Sequence, residues 1–175
     1  LSYHERINTL APSETGYIAG IIDGEGTITI ELRKRKTKCG RTTAELSPSL
    51  GIHNTDRRLL EYLFAFLGKE KIHMHTYVRK NRKHKTAYVF HSNSPEWIRV
   101  LLEKVRPFLI IKSEQADLLL QFIDEKTNRR KLLVVIQKRE RGKRPKIIDT
   151  LGSKIPEKDM NFYRRMKELN VKGPR

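Results

Sequence analysis

Tyr17-Ile18-Ala19-Gly20-Ile21-Ile22-Asp23-Gly24-Glu25-Gly26 is an apolar, small-residue helix that runs straight into two carboxylates separated by one glycine. Glycine recurs every fourth position, at Gly16, Gly20 and Gly24. One stripe of the helix therefore has almost no side chain and admits a second helix backbone at close range. Each glycine weakens an isolated helix by about 1 kcal/mol, so the stripe calls for a compensating contact. A helix ending in acid is half of a divalent-metal site, completed by a second copy. The same letters also fit a buried helix closed by a glycine-rich C-terminal turn.

Charge points to the partner. The chain of 175 residues carries 37 Lys and Arg against 20 Asp and Glu, a net charge of +17. The basic residues are concentrated: six lie in residues 31–41, seven in 69–86 and ten in 126–146, and what remains is net acidic. Basic loops edging a groove would give this partition, and a polyanion, above all nucleic acid, is the expected partner. An acidic membrane surface, or a merely basic ribosomal-type role, is the alternative. The one cysteine, Cys39, permits no intramolecular disulfide and suits a reducing, intracellular compartment. Apolar runs such as Leu132 to Ile136 fall far short of the roughly 20 residues of a membrane span, and no secretory signal is read ahead of the core. The length predicts one domain with a tail: an arm over 1–11, a core over 12–125 and a basic extension over 126–175.

Beyond the first helix, which Ser13 or Thr15 is placed to cap, the period changes to two. Ile28, Ile30 and Leu32 alternate with Thr27, Thr29, Glu31, Arg33 and Arg35. A second strand sets Leu46, Pro48, Leu50 and Ile52 against Glu45, Ser47, Ser49, Gly51 and His53, with Pro48 marking a bulge or an edge. Thr55-Asp56 opens a helix through Leu67 that Gly68 ends. Two more strands are predicted over 72–79 and 87–92, the first with His73, His75, Tyr77 and Arg79 on one face; the faces of the second cannot be assigned. Ser94-Pro95 starts a third helix, and a fourth runs from Glu114 to about Glu125. The polar strand faces, with Lys36, Lys38, Arg41, Lys80, Arg82, Lys83 and Lys85 on the connecting loops, are the equipment for reading base edges while cations hold phosphates. Zinc on His73 and His75 is disfavoured, because no remaining ligands are evident.

Ile18 to Gly26 resembles the LAGLIDADG motif of homing endonucleases and intron maturases, with five of nine letters identical. The resemblance implies an α+β fold of order αββαββα, in which an antiparallel four-stranded, saddle-like sheet carries helices on one face. With a single motif copy it implies a homodimer, paired through Gly16, Ala19, Gly20 and Asp23, that makes a metal-dependent double-strand cut in a long near-palindromic DNA site. Glu25 stands at the metal-ligand position, where Asp is more usual, and the Gly24 carbonyl is expected to assist; Asp23 is better read as orienting the turn. Mg2+ is the implied cofactor, with Mn2+ substituting and Ca2+ binding without supporting cleavage. Arg106-Pro107-Phe108-Leu109-Ile110-Ile111-Lys112 resembles the family segment bearing the active-site lysine, hence Lys112. His53 takes a water-positioning place and Arg57 a basic one. The same scaffold also suits a maturase acting on intron RNA, or a DNA-binding regulator without catalysis. Organelles or microbes are where such proteins live.

Overall fold

A computed structural model describes residues 1–36, 42–77, 86–139 and 155–171. In chain order the elements are α1 (Tyr3–Asn8), α2 (Pro12–Glu25), β1 (Gly26–Lys36), β2 (Thr42–Asn54), α3 (Arg57–Leu67), β3 (His73–Tyr77), β4 (Ala87–Ser92) and α4 (Pro95–Val105), then a 3-10 turn (Arg106–Phe108), α5 (Ser113–Arg139) and α6 (Glu157–Leu169). The four strands form one antiparallel sheet in the order β1-β2-β4-β3. Two hairpins thus meet along β2 and β4.

The alternation in the strands places the core. Ile28 and Ile30 of β1, Leu46, Leu50 and Ile52 of β2 and Phe90 of β4 all lie on one face, packed against Ile18 and Ile22 of α2, Leu60 and Leu63 of α3 and Leu101 and Leu102 of α4. Leu32, expected to share that face, is 41% exposed near the tip of the β1-β2 hairpin. Pro48 makes no bulge. It pairs with Ile30 in unbroken register, and its carbonyl accepts the Asn93 side-chain amide just past the end of β4. The missing N–H therefore faces a stretch where β2 has no strand on that side, an edge in all but name.

Helix starts follow their chemistry, with one correction. Neither Ser13 nor Thr15 caps α2; its N-cap is Ala11, whose N–H is taken at 2.8 Å by the carboxylate of Glu14, while Thr15 Oγ1 donates back to the Ala11 carbonyl. Pro12 at the first helical position sets the start one turn earlier than the hydroxyl residues suggest. Ser94 caps α4 and Asp56 caps α3, and α3 ends at Gly68 with φ of 76°.

The first and last helices, α1 and α6, are both tied to the core. Ile7 of α1 is fully buried. The fourth amphipathic helix does not stop near Glu125 but continues to Arg139. α6 lies against α5 and β1: Met166 is fully buried, Arg129 of α5 pairs with the nearly buried Asp159, and Asn170 donates to the Ile28 carbonyl on the outer edge of β1. The segments read as an arm and a basic extension thus contribute core residues. Met166→Ala should lower the unfolding free energy by about 2–5 kcal/mol, the ordinary cost of a cavity at a buried methionine, as measured by urea denaturation.

Candidate active site

Helix α2 presents two different sides. Thr15, Ile18, Ala19, Ile21 and Ile22 are buried in the chain's own core. Gly20 and Gly24 face open space, with nothing within 4 Å of where a Cβ would stand, whereas Gly16 lies under the ring of Phe108, 3.7 Å from such an atom. Ala19, expected on a partner-facing stripe, is a core residue, because it lies one position round the helix from Gly20. Around the open stripe, apolar side chains stand in solvent: Tyr17 is 53% exposed, Ile110 85% and Ile111 70%.

At the C-terminal end of α2 the chain turns directly into β1 at Gly26, where a Cβ would fall 2.5 Å from the Ile22 carbonyl oxygen. Only glycine permits this close turn. The turn is locked by a reciprocal clasp with the segment before α5. One oxygen of Asp23 accepts the backbone N–H groups of Ile110 and Ile111 at 2.8 and 3.3 Å, and the other accepts that of Lys112 at 3.0 Å. In return Lys112 Nζ donates to the carbonyls of Ile22 and Asp23 at 2.8 and 2.6 Å. A carboxylate thus takes up backbone donors ahead of α5, and an ammonium caps backbone acceptors at the end of α2, where the Ile22 carbonyl also accepts the Gly26 N–H, each favoured by the adjacent helix dipole. Arg106 braces the same segment through a two-pronged pair with Asp117 at 2.6 and 2.7 Å. Burial pushes the Lys112 ammonium below its ordinary value, against the opposing pull of Asp23 and Glu25.

Glu25 differs from Asp23. It is exposed, and among the described residues no hydrogen bond or ion pair engages its carboxylate. No three His, Cys, Asp or Glu side chains gather as a metal site among those residues. One chain therefore offers a single open motif carboxylate with the exposed Gly24 next to it. That donor set suits a hard, oxygen-preferring cation that is content with one or two carboxylates, water and phosphate, and does not suit a closed zinc site.

The register pairing Gly26 with Ile52 puts His53, which is exposed, at the same end of the sheet as this turn. Arg57 forms an ion pair with Glu61 at 2.9 Å one helical turn on, and no contact joins it to Glu25 or Lys112 among the described residues.

On the sheet face away from the helices lie Thr27, Thr29, Glu31, Arg33, Ser47 and His73, none of them in the core. Two expected readers have other employment. Ser49 is only 2% exposed, its Oγ 2.9 Å from His91 Nε2, and Glu45 is held by Lys126 of α5 at 3.0 Å. Arg35, Lys36, His75 and Tyr77 sit on described strands, with side chains outside the described set; Lys38, Arg41, Arg79, Lys80, Arg82, Lys83 and Lys85 lie outside the described residues. His91 is a polar-face residue that sequence reasoning missed. Phe90 and Ser92 point inward, so His91 between them points out, a signal obscured by the apolar run that precedes it. Burial works to raise the Glu31 carboxyl, but hydrogen bonds from Ser49 and Arg33 and the charges of His91 and Arg33 outweigh it and hold it below its ordinary value.

The chain matches the family model described as LAGLIDADG endonuclease over residues 18–121. No curated protein matches it significantly in sequence. Among solved structures it is similar to the archaeal intron-encoded homing endonuclease I-Vdi141I complexed with DNA, at 18% identity and a TM-score of 0.61, covering 93% of this chain and 87% of that one. It is also similar to the homing endonuclease I-CvuI, at 18% identity and a TM-score of 0.60, covering 93% and 85%; that complex, in the presence of magnesium, holds uncleaved DNA. A second I-CvuI complex contains its target in the presence of calcium. At these identities the likeness speaks for the fold.

Two outcomes follow from the geometry. Asp23→Ala removes three hydrogen bonds from backbone donors to a carboxylate and should cost about 2 kcal/mol of stability by thermal or urea unfolding. The lowered Glu31 carboxyl contributes stability that is whole above its ordinary value of 4.5 and is lost as pH falls through its lower folded-state value. The melting temperatures of the parent and Glu31→Gln should therefore converge on acidification.

Proposed function

The chain belongs to the LAGLIDADG endonuclease family, and on that premise we propose that it is a site-specific DNA endonuclease of the homing type, working as a homodimer with a divalent cation, Mg2+ foremost. The observation that carries the reading is the division of labour between the two motif acids: Asp23 is consumed in holding the turn, and Glu25 stands open at its tip.

A single carboxylate per chain holds a hydrated cation weakly, and two brought together hold it better. Pairing of two chains along the open Gly20 and Gly24 stripe, rimmed by Tyr17, Ile110 and Ile111, would set the two Glu25 side chains side by side and cover apolar surface that a lone chain leaves wet. A twofold through that contact implies a near-palindromic target. The polar sheet face then lies along the major groove, where Thr27, Thr29, Ser47 and His73 meet base edges.

For hydrolysis, Glu25 and the Gly24 carbonyl would hold the cation. When bound, magnesium supplies positive charge at the scissile phosphate and lowers the pKa of an attacking water. Lys112, fixed at the helix end, places a second positive charge beside that phosphate; His53, at the same end of the sheet, orients water. Arg57, already paired with Glu61 and exposed, is better suited to a phosphate outside the reacting centre.

The decisive experiment incubates the protein with a randomised DNA library and magnesium. Recovered sites should be long and near-palindromic, and sedimentation should find two chains per duplex. Glu25→Gln should bind the selected site and leave it intact. Affinity should fall with salt at a log–log slope of about −0.9 per phosphate contacted. Selection of RNA in place of duplex DNA would favour the maturase reading, and binding without cutting by the parent would favour a regulator.

A further inference from the structure

One cluster on the polar sheet face serves neither the core nor the clasp at the end of α2. Glu31 and Arg33 of β1, Ser49 of β2 and His91 of β4 come from three neighbouring strands and touch one another. Glu31 Oε2 accepts from Arg33 Nε at 3.3 Å and from Nη2 at 3.2 Å. The other oxygen of the same carboxylate stands 3.6 Å from His91 Nε2, and Ser49 Oγ lies 2.9 Å from that nitrogen.

The contacts order the cluster. His91 Nε2 faces both Ser49 Oγ, at 2.9 Å, and the Glu31 carboxylate, at 3.6 Å. A carboxylate has no proton to give, so Glu31 is the acceptor of the cluster and Arg33 donates to it. The contacts run from Ser49 to His91 to Glu31, and Arg33 donates into the same carboxylate. Glu31 is thereby pinned from two strands, and it pins Arg33 in turn.

Arg33 gives Glu31 its Nε proton and one Nη2 proton. Three of its five donors remain, and two of them, one on each Nη, form the end-on edge of the guanidinium. That edge matches two acceptors side by side, the pattern guanine O6 and N7 present in the major groove. The Arg33 side chain is 32% exposed, enough to reach outward while its other edge is held.

We propose that Glu31, Ser49 and His91 are positioning residues that aim Arg33 at one guanine in each half of the DNA target. The inference rests on the DNA-binding reading above. It also reassigns Glu31 and Ser49, expected from the sequence to touch DNA themselves, to the support of a neighbour. A well-made bidentate contact discriminates against the wrong base by about 5- to 150-fold, and a guanidinium already held in place loses less freedom on meeting it.

The test is a binding selection on a randomised half-site library, with calcium in place of magnesium, read by sequencing the bound fraction. The parent, Arg33→Ala, Glu31→Gln, Ser49→Ala, His91→Phe and the Arg33→Ala/Glu31→Gln double variant are compared, each with its melting temperature. The parent should favour guanine about tenfold or more at one position per half-site. Arg33→Ala should flatten that position alone. Each of the three supporting variants should weaken the same preference by about threefold or more and spare the other positions, whatever its melting temperature. The double variant should be no flatter than Arg33→Ala, as a shared route requires. Preference that survives intact in Glu31→Gln and Ser49→Ala, or losses spread evenly over all positions, would overturn the proposal while leaving DNA binding in place. A parent that enriches no sequence would overturn both this inference and the reading beneath it.

Discussion

Two residues far apart in sequence hold the site together by exchanging helix ends. The carboxylate of Asp23 closes over the backbone donors ahead of α5, and the ammonium of Lys112 closes over the backbone acceptors at the end of α2. Neither contact would be worth much alone on an exposed surface. Joined, they cross-brace the point where helix becomes strand, so that the turn, the first strand and the last long helix are indexed to one another. Gly26 is the steric counterpart of the clasp, because no larger residue fits under the Ile22 carbonyl.

From that fixed point the sheet inherits its orientation. β1 leaves the turn with its isoleucines already facing the helices, and antiparallel pairing passes the alternation to β2 and then to β4. The polar face is therefore the necessary remainder of a core that uses every second residue. Some of its side chains are open, and others are spent on each other. Ser49 is buried although it lies on the polar side, because its neighbours close over it.

Local pattern made much of this legible. Strict alternation at Ile28 and Ile30 and at Leu46, Leu50 and Ile52 identifies the core face, since period-two burial leaves a direct trace. The motif marks the acid-bearing turn, and the Asn93 contact explains why Pro48 is tolerated. Legibility ends where partners are distant. Nothing near Asp23 announces that its donors lie 87 to 89 positions away. The run Tyr88-Val89-Phe90 hides the faces of β4 and with them His91. Ala19 sits among small residues that look alike in sequence, and only the angular position on the helix assigns it to the core while Gly20 stays open. The C-terminal helix reads as a charged extension because its burial rests on few side chains, Met166 and the Asp159 partnership with Arg129.

With Asp23 committed to the turn, each chain has one motif acid to spare. If two chains must contribute that acid to a common centre, cutting becomes second order in protein at low dose: halving the number of copies in a cell would lower the active species about fourfold while dimers are scarce. On the proposed reading, a protein built this way would be nearly silent when it leaks and act fully only when expressed in quantity, a form of restraint suited to a nuclease.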